Sequence, residues 1–258
     1  EFNDTYDYLI LSPGGRARVV SGLENVEEAF SLHNIEDMDK IMAFIDENKV
    51  QDAVIVGTGF IGMEMAENLR LRDIGVTVVH RNENIYGHVE ADIVAVLHQE
   101  MEKNGIDLKL NAEVDYYQDG FLFLTNNEKI KAPLIIQGIG LNPNTEFLKG
   151  SGITMTERGL IPANEYGQTN VKNVYTLGDV METKYLHVPE LPANIKLAWP
   201  AHRIAYVIAN HIHGEYDVKF EGLLGTNIMR FFEYEIGSIG IPQEAVRYYE
   251  HFVIDHQQ

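Results

Sequence analysis

Gly57-Thr58-Gly59-Phe60-Ile61-Gly62 is the stretch in which residue type and spacing most directly dictate chemistry. The first glycine permits a tight turn. The second lets backbone approach a pyrophosphate, and the third allows a helix to pack closely on a strand. Ala53-Val54-Ile55-Val56, just before it, is an uninterrupted apolar run, as expected of a strand buried on both faces of a parallel sheet. Phe60 to Arg72 is helical in composition, and Val76 to Val79 is a second apolar strand. Such a crossover puts a helix N-terminus on the turn, where free N–H groups and the helix dipole attract phosphate. The spacing points to a dinucleotide. A glycine-rich turn that holds no ligand is the alternative.

The end of the second strand selects the dinucleotide. A reader of the ribose 2′-hydroxyl would be an acid roughly 20 residues after the first glycine. That place reads Val79-His80-Arg81-Asn82, with no carboxylate until Glu83. Histidine and arginine there could pair with a 2′-phosphate, so NADPH is expected in preference to NADH. The alternative is that His80 and Arg81 are solvated loop residues.

Other elements must hold these groups in place. Ile35, Met38, Ile41, Met42 and Ile45 have helical spacing over Ile35 to Asn48, as do Ile93, Leu97 and Met101 over Ala91 to Asn104. Glu113 to Asn126 alternates like a meander pair turning at Asp119-Gly120, with Tyr116-Tyr117 as packing residues. Leu134 to Ile136 reads as a buried strand closed by Gly138-Ile139-Gly140. Beyond Asn142 the chain is loop-rich, with a strand over Val174 to Leu177 that ends in Gly178-Asp179. A helix is expected over Lys196 to His213, with His211 and His213 on its surface, and strands of a further domain over Phe220 to Ile241. Tyr6 to Leu11 reads as a strand and Gly15 to Asn34 as a connector. A strand with no preceding element needs partners, so residues upstream are expected.

Composition bounds the function. The 258 residues include 39 acidic and 20 basic side chains, a net charge of −19. That balance argues against binding nucleic acid or an anionic membrane surface. No apolar run approaches the ~18 residues of a membrane span and no signal peptide opens the chain, so a soluble, cytoplasmic protein is expected. Cysteine is absent, which excludes disulfides, thiolate metal sites and a cysteine nucleophile in this chain. No ligand set has metal spacing, and no metal is expected.

Four stretches, YDYLILSPG (6–14), DAVIVGTGFIGMEMAENL (52–69), IIQGIGLNPNTEFL (135–148) and TNVKNVYTLGDV (169–180), resemble the flavin-dependent pyridine nucleotide-disulfide reductases. LPANIKLAWPAHR (191–203) is similar to the coenzyme A-disulfide reductase branch. The resemblance implies an α/β fold: a three-layer ββα-type Rossmann domain for NAD(P)H inserted in an FAD-binding domain, then the start of an α+β dimerisation domain. The boundaries would be 1–33 for the end of the first FAD segment and connector, 34–143 for the NAD(P)H domain, 144–215 for the second FAD segment and 216–258 for the incomplete dimer domain.

The resemblance also assigns roles. Ser12-Pro13-Gly14 would leave the FAD domain, and Gly178-Asp179 would bring a carboxylate to the FAD ribitol. Ala198 to His202 would start a helix under the flavin. Phe60 would cover the flavin, Glu64 would face the nicotinamide, and Gly138 and Gly140 would belong to the NADPH site. Bland alternatives are a turn aspartate at Asp179, packing for Phe60, a surface carboxylate for Glu64 and an ordinary helix residue for His202.

Two family features are absent: a first GxGxxG for the FAD diphosphate and the redox-active cysteine. A fragment of a complete reductase is favoured over a natural truncation, and this chain alone is expected to be inactive. The implied activity is NADPH-dependent reduction of coenzyme A disulfide by a homodimeric flavoprotein. Rivals are an NAD(P)H oxidase, peroxidase or polysulfide reductase of the same fold, and a noncatalytic nucleotide-binding module.

Overall fold

The structure, a computed structural model, describes residues 4–87, 89–193 and 195–241. Leu9–Leu11 (β1) and Gly15–Ala17 (β2) come first. Ala29–Ser31 (β3), Ile35–Asn48 (α1), Asp52–Val56 (β4), Phe60–Arg70 (α2), Gly75–Val79 (β5), Ala91–Lys103 (α3) and Ile106–Lys109 (β6) then alternate. Val114–Gln118 (β7), Phe121–Leu124 (β8) and Lys129–Lys131 (β9) form an antiparallel meander before Ile135–Gln137 (β10). Leu141–Pro143 (β11), Val174–Thr176 (β12), Thr183–Lys184 (β13), Pro192–Ala193 (β14) and Ala198–Ile212 (α4) follow. The last is a hairpin of Asn227–Phe231 (β15) and Tyr234–Ser238 (β16).

The described residues form two compact units, 4–16 with 141–226 and 17–140 with 227–241. The second is built on a five-stranded sheet in the order β3-β10-β4-β5-β6, parallel at every pairing. The alternation along β4 explains its layers. Ala53 and Ile55 join the core formed by α1, α2 and α3, while Val54 and Val56 join Leu122, Leu124 and Ala132 of the meander side. A strand apolar on both faces needs cover on both, and helices and meander supply it.

Helix α1 starts where the sequence dictates. The Asn34 side chain accepts the Asp37 N–H at 2.8 Å, and the Asp37 carboxylate accepts the Asn34 N–H in return. Helix α2 stops at Arg70, two residues short of the expected Arg72, where Asp73 turns left-handed at φ +60 and the Ile74 N–H donates back to the Leu69 carbonyl; the Arg70 guanidinium donates to the Ile74 and Asn104 carbonyls beyond the turn. The connector 15–34 contains an edge strand, β3, paired with β10. The strands expected over Phe220 to Ile241 reduce to one hairpin. Its Met229, Phe231 and Ile236 are buried in the same core as Ile85, Tyr86 and Leu97. Residues 242–258 of the expected dimer domain lie outside the described residues.

In the first unit β1 pairs in parallel with β12, and Leu11, Val174 and Val180 share a core. Helix α4 buries Ile204, Val207 and Ile208 against Tyr175 and Phe220. His213 is exposed, as expected. His211 is only part-exposed, because its Nδ1 lies 2.9 Å from the Tyr175 hydroxyl and its ring packs on Tyr166. Among the described residues no helix is long and apolar enough to cross a membrane.

Candidate functional site

The turn between β4 and α2 holds three glycines, two packed against backbone and one open. Gly57 has φ +99, and a Cβ there would sit 2.7 Å from the Gly138 carbonyl oxygen. A Cβ on Gly62 would meet the Gly57 carbonyl oxygen at 2.1 Å. Gly138 presses from β10, its would-be Cβ 2.9 Å from the Gly62 Cα and backbone nitrogen. These three are glycine because backbone packs on backbone. Gly59 differs: its φ is −70, and a Cβ would touch nothing closer than the Gly138 oxygen at 3.6 Å. The protein itself does not require glycine at 59. An outside group that approaches the backbone would, and no side chain caps α2 at this residue. The turn fits a pyrophosphate on that ground.

Thr58 and the segment after β5 form the next layer. Thr58 is 2% exposed. Its Oγ1 accepts the Tyr86 N–H at 3.2 Å and lies 3.1 Å from His80 Nδ1. Burial holds the His80 pKa below its ordinary value, against a hydrogen bond with the Asn84 backbone, and the Arg81 charge lowers it further. Arg81 is exposed. Tyr86 is buried at φ +45, a conformation that costs a non-glycine residue about 1–3 kcal/mol and persists only under strong local constraint. The constraint is visible: its hydroxyl donates to Asn227 Oδ1 at 3.2 Å, and its ring meets Phe60 edge-on with centroids 5.3 Å apart. Tyr86 and Asn227 lie far apart along the chain, and no motif marks either one.

Phe60 is partly buried against the core. Ile61 and Glu64 line an apolar groove of about 190 Å³ between α1 and α2. Desolvation, helped by Glu67, raises the Glu64 pKa, and Glu64 in turn helps burial to raise that of Tyr86. Gly140 has φ +94, and its carbonyl accepts the Arg18 N–H. The structure therefore brings Gly57 to Gly62, Glu64, His80, Arg81, Gly138 and Gly140 into one unit.

The other expected residues gather in the first unit. The Leu177 N–H donates to the Leu11 carbonyl, which sets the turn after β12 beside Ser12. Gly178, at φ +75, would place a Cβ 3.5 Å from Ser12 Oγ. Asp179 is half-buried in this turn, on which α4 packs. Asn144 fixes Pro13 and Gly14 by donating its side-chain N–H to the Pro13 carbonyl and its backbone N–H to the Gly14 carbonyl. Beside it Arg16 pairs with Glu146, whose carboxyl is pulled down to about 2 by that hydrogen bond. Helix α4 starts with Ala198 exposed, no side-chain cap, and His202 stacked on an exposed Trp199. A half-buried carboxylate, a positive-φ glycine and an uncapped helix start suit a ligand that carries both hydroxyls and negative charge.

The profile of the pyridine nucleotide-disulphide oxidoreductase family matches residues 1–204. Coenzyme A disulfide reductases of Staphylococcus epidermidis and Staphylococcus aureus are 37% and 36% identical over the whole chain, which spans 58% of their length. The reduced CoADR-RHD of Bacillus anthracis superposes with a TM-score of 0.91 at 35% identity, covering 96% of this chain and 45% of that one. An NAD-dependent persulfide reductase from A. fulgidus gives 0.87 at 25% identity, covering 94% and 46%. With the profile spanning 1–204 and relatives matching from end to end, the chain belongs to the pyridine nucleotide-disulphide oxidoreductase family.

Proposed function

We propose that the protein is a flavoenzyme that reduces coenzyme A disulfide with NADPH, working as a cytoplasmic homodimer. On this reading, 34–143 is the NADPH domain, 1–33 and 144–215 are FAD segments, and 216–258 begins a dimer domain. The observation that carries the proposal is end-to-end similarity to coenzyme A disulfide reductases, joined to a glycine turn open only at Gly59. FAD and a pyridine nucleotide are the family's cofactors, and when bound they supply hydride chemistry and the electron pair that opens a disulfide.

This chain's residues bind and orient. Gly59 leaves room for the pyrophosphate, and the exposed Arg81 offers a permanent cation to a 2′-phosphate. On this reading Phe60 covers the flavin and Glu64 faces the nicotinamide. Asp179 accepts hydrogen bonds from the FAD ribitol beside Ser12, Pro13, Gly14 and Gly178. The start of α4, with Ala198 and His202, favours negative charge on the flavin.

One observation favours a second reading for these residues taken alone. They include no cysteine, so they form a nucleotide-binding module that performs no thiol step.

The test is to express the whole reading frame that encodes these residues. The purified protein is expected to show a bound-flavin spectrum and NADPH-dependent thiol release from coenzyme A disulfide. Colourless protein, or turnover of polysulfide with NADH but none of coenzyme A disulfide, would contradict the proposal.

A further inference from the structure

We propose that Thr58 and His80 act on cofactor choice as positioning residues: the Thr58 hydroxyl staples the glycine turn to segment 80–86, and the stapled segment presents Arg81 to the 2′-phosphate. This rests on the reading that Gly57 to Gly62 and Arg81 hold NADPH. It also gives His80 a different task from the phosphate pairing that its sequence position suggests.

The staple is a single buried hydroxyl. Thr58 Oγ1 accepts the Tyr86 N–H at 3.2 Å and meets His80 Nδ1 at 3.1 Å. A hydroxyl has one proton to give. With its oxygen engaged by Tyr86, that proton goes to Nδ1, which accepts it when the imidazole is neutral. Burial of the ring favours the neutral form. The Asn84 backbone also acts on the ring, opposing the effect of burial, and Nδ1 is engaged by Thr58 rather than turned to a ligand.

The main chain is fixed as well. The His80 N–H donates to the Lys109 carbonyl at 2.8 Å, and the His80 carbonyl accepts the Ala112 N–H at 3.0 Å. The Asn82 carbonyl accepts the Asn111 N–H. At the far end the Tyr86 hydroxyl reaches Asn227, whose amide donates to Ser238 Oγ at 2.7 Å. Arg81 is thus an exposed cation on a segment held at both ends. A held segment loses less freedom when a phosphate arrives, and that advantage reaches only the cofactor that carries a 2′-phosphate.

The test is the ratio of NADPH to NADH affinity, read by nucleotide fluorescence on the 258-residue chain. Thr58→Val keeps the shape and removes both hydrogen bonds, and is expected to lower the ratio about tenfold. Thr58→Ser restores the hydroxyl and is expected to restore the ratio. His80→Asn keeps an acceptor near the Nδ1 position but cannot become a cation, and is expected to retain the preference.

A folded Thr58→Val chain with the wild-type ratio would overturn the proposal. So would loss of the preference in His80→Asn, which would make His80 a direct phosphate reader. The His80→Asn arm decides the matter if Thr58→Val does not fold, as judged by circular dichroism. Equal affinity of the wild type for the two nucleotides would instead sink the NADPH reading beneath it.

Discussion

Arg81 and His80 are adjacent and chemically alike on paper, yet the structure gives them different surroundings. Arg81 is exposed, whereas His80 is bound to Thr58. Arg81→Glu is therefore expected to weaken NADPH by about tenfold or more while leaving NADH little changed, measured by fluorescence titration. His80 also leaves a mark on stability. Burial lowers its pKa and that of His98 below the ordinary 6.5. The unfolded chain takes up these protons first as pH falls through 6.5, so stability drops toward the folded-state values. The melting temperature is expected to fall between pH 7.5 and 5.5, with a shallower fall in His80→Asn. A flat profile in the wild type would contradict this. The glycine spacing was legible because sterics alone demand Gly57 and Gly62. Thr58 was legible only as a member of the turn, since its partner Tyr86 has no local signature.

Elements bounded by strong local chemistry agree with the sequence to within a residue or two. Helix α1 is one, closed by Asn34 and Asp37, and β4 is another, apolar throughout. β3 and β6 were not legible. They are three and four residues long, and β3 is only half-buried. Tertiary pairing, not propensity, makes them strands. The β15–β16 hairpin shows the same effect, because alternation announces strands without naming the core they join. Phe231 is 0% exposed in the core that holds Tyr86 and Ile85. Phe231→Ala is expected to cost about 3–5 kcal/mol in urea unfolding. A loss below about 1 kcal/mol would mean the hairpin contributes little to that core. Gly62→Ala tests the turn as packing: with a Cβ 2.1 Å from the Gly57 oxygen it is expected to destabilise by at least about 1–3 kcal/mol.

At the scale of the molecule, these residues bind more than they can convert. Asp179→Ala in the flavin-loaded protein is expected to weaken FAD by about 1–3 kcal/mol, because ribitol hydroxyls lose a half-buried charged acceptor. Unchanged flavin retention would remove that assignment. The 258-residue chain alone is expected to release no thiol from coenzyme A disulfide above background, since no cysteine can take electrons onto sulfur. If the turn of Gly57 to Gly62 holds the pyrophosphate of NADPH, Gly59 is where a substitution reads it. Gly59→Ala meets no clash and keeps an allowed φ of −70, so the fold accepts it. Calorimetric titration of wild-type and Gly59→Ala chains with NADPH, beside their melting curves, is the measurement. The expected result is saturable binding by the wild type and a loss of about tenfold or more in Gly59→Ala at an unchanged or slightly higher melting temperature. A folded wild type that binds no NADPH, or equal binding by both chains, would contradict the account.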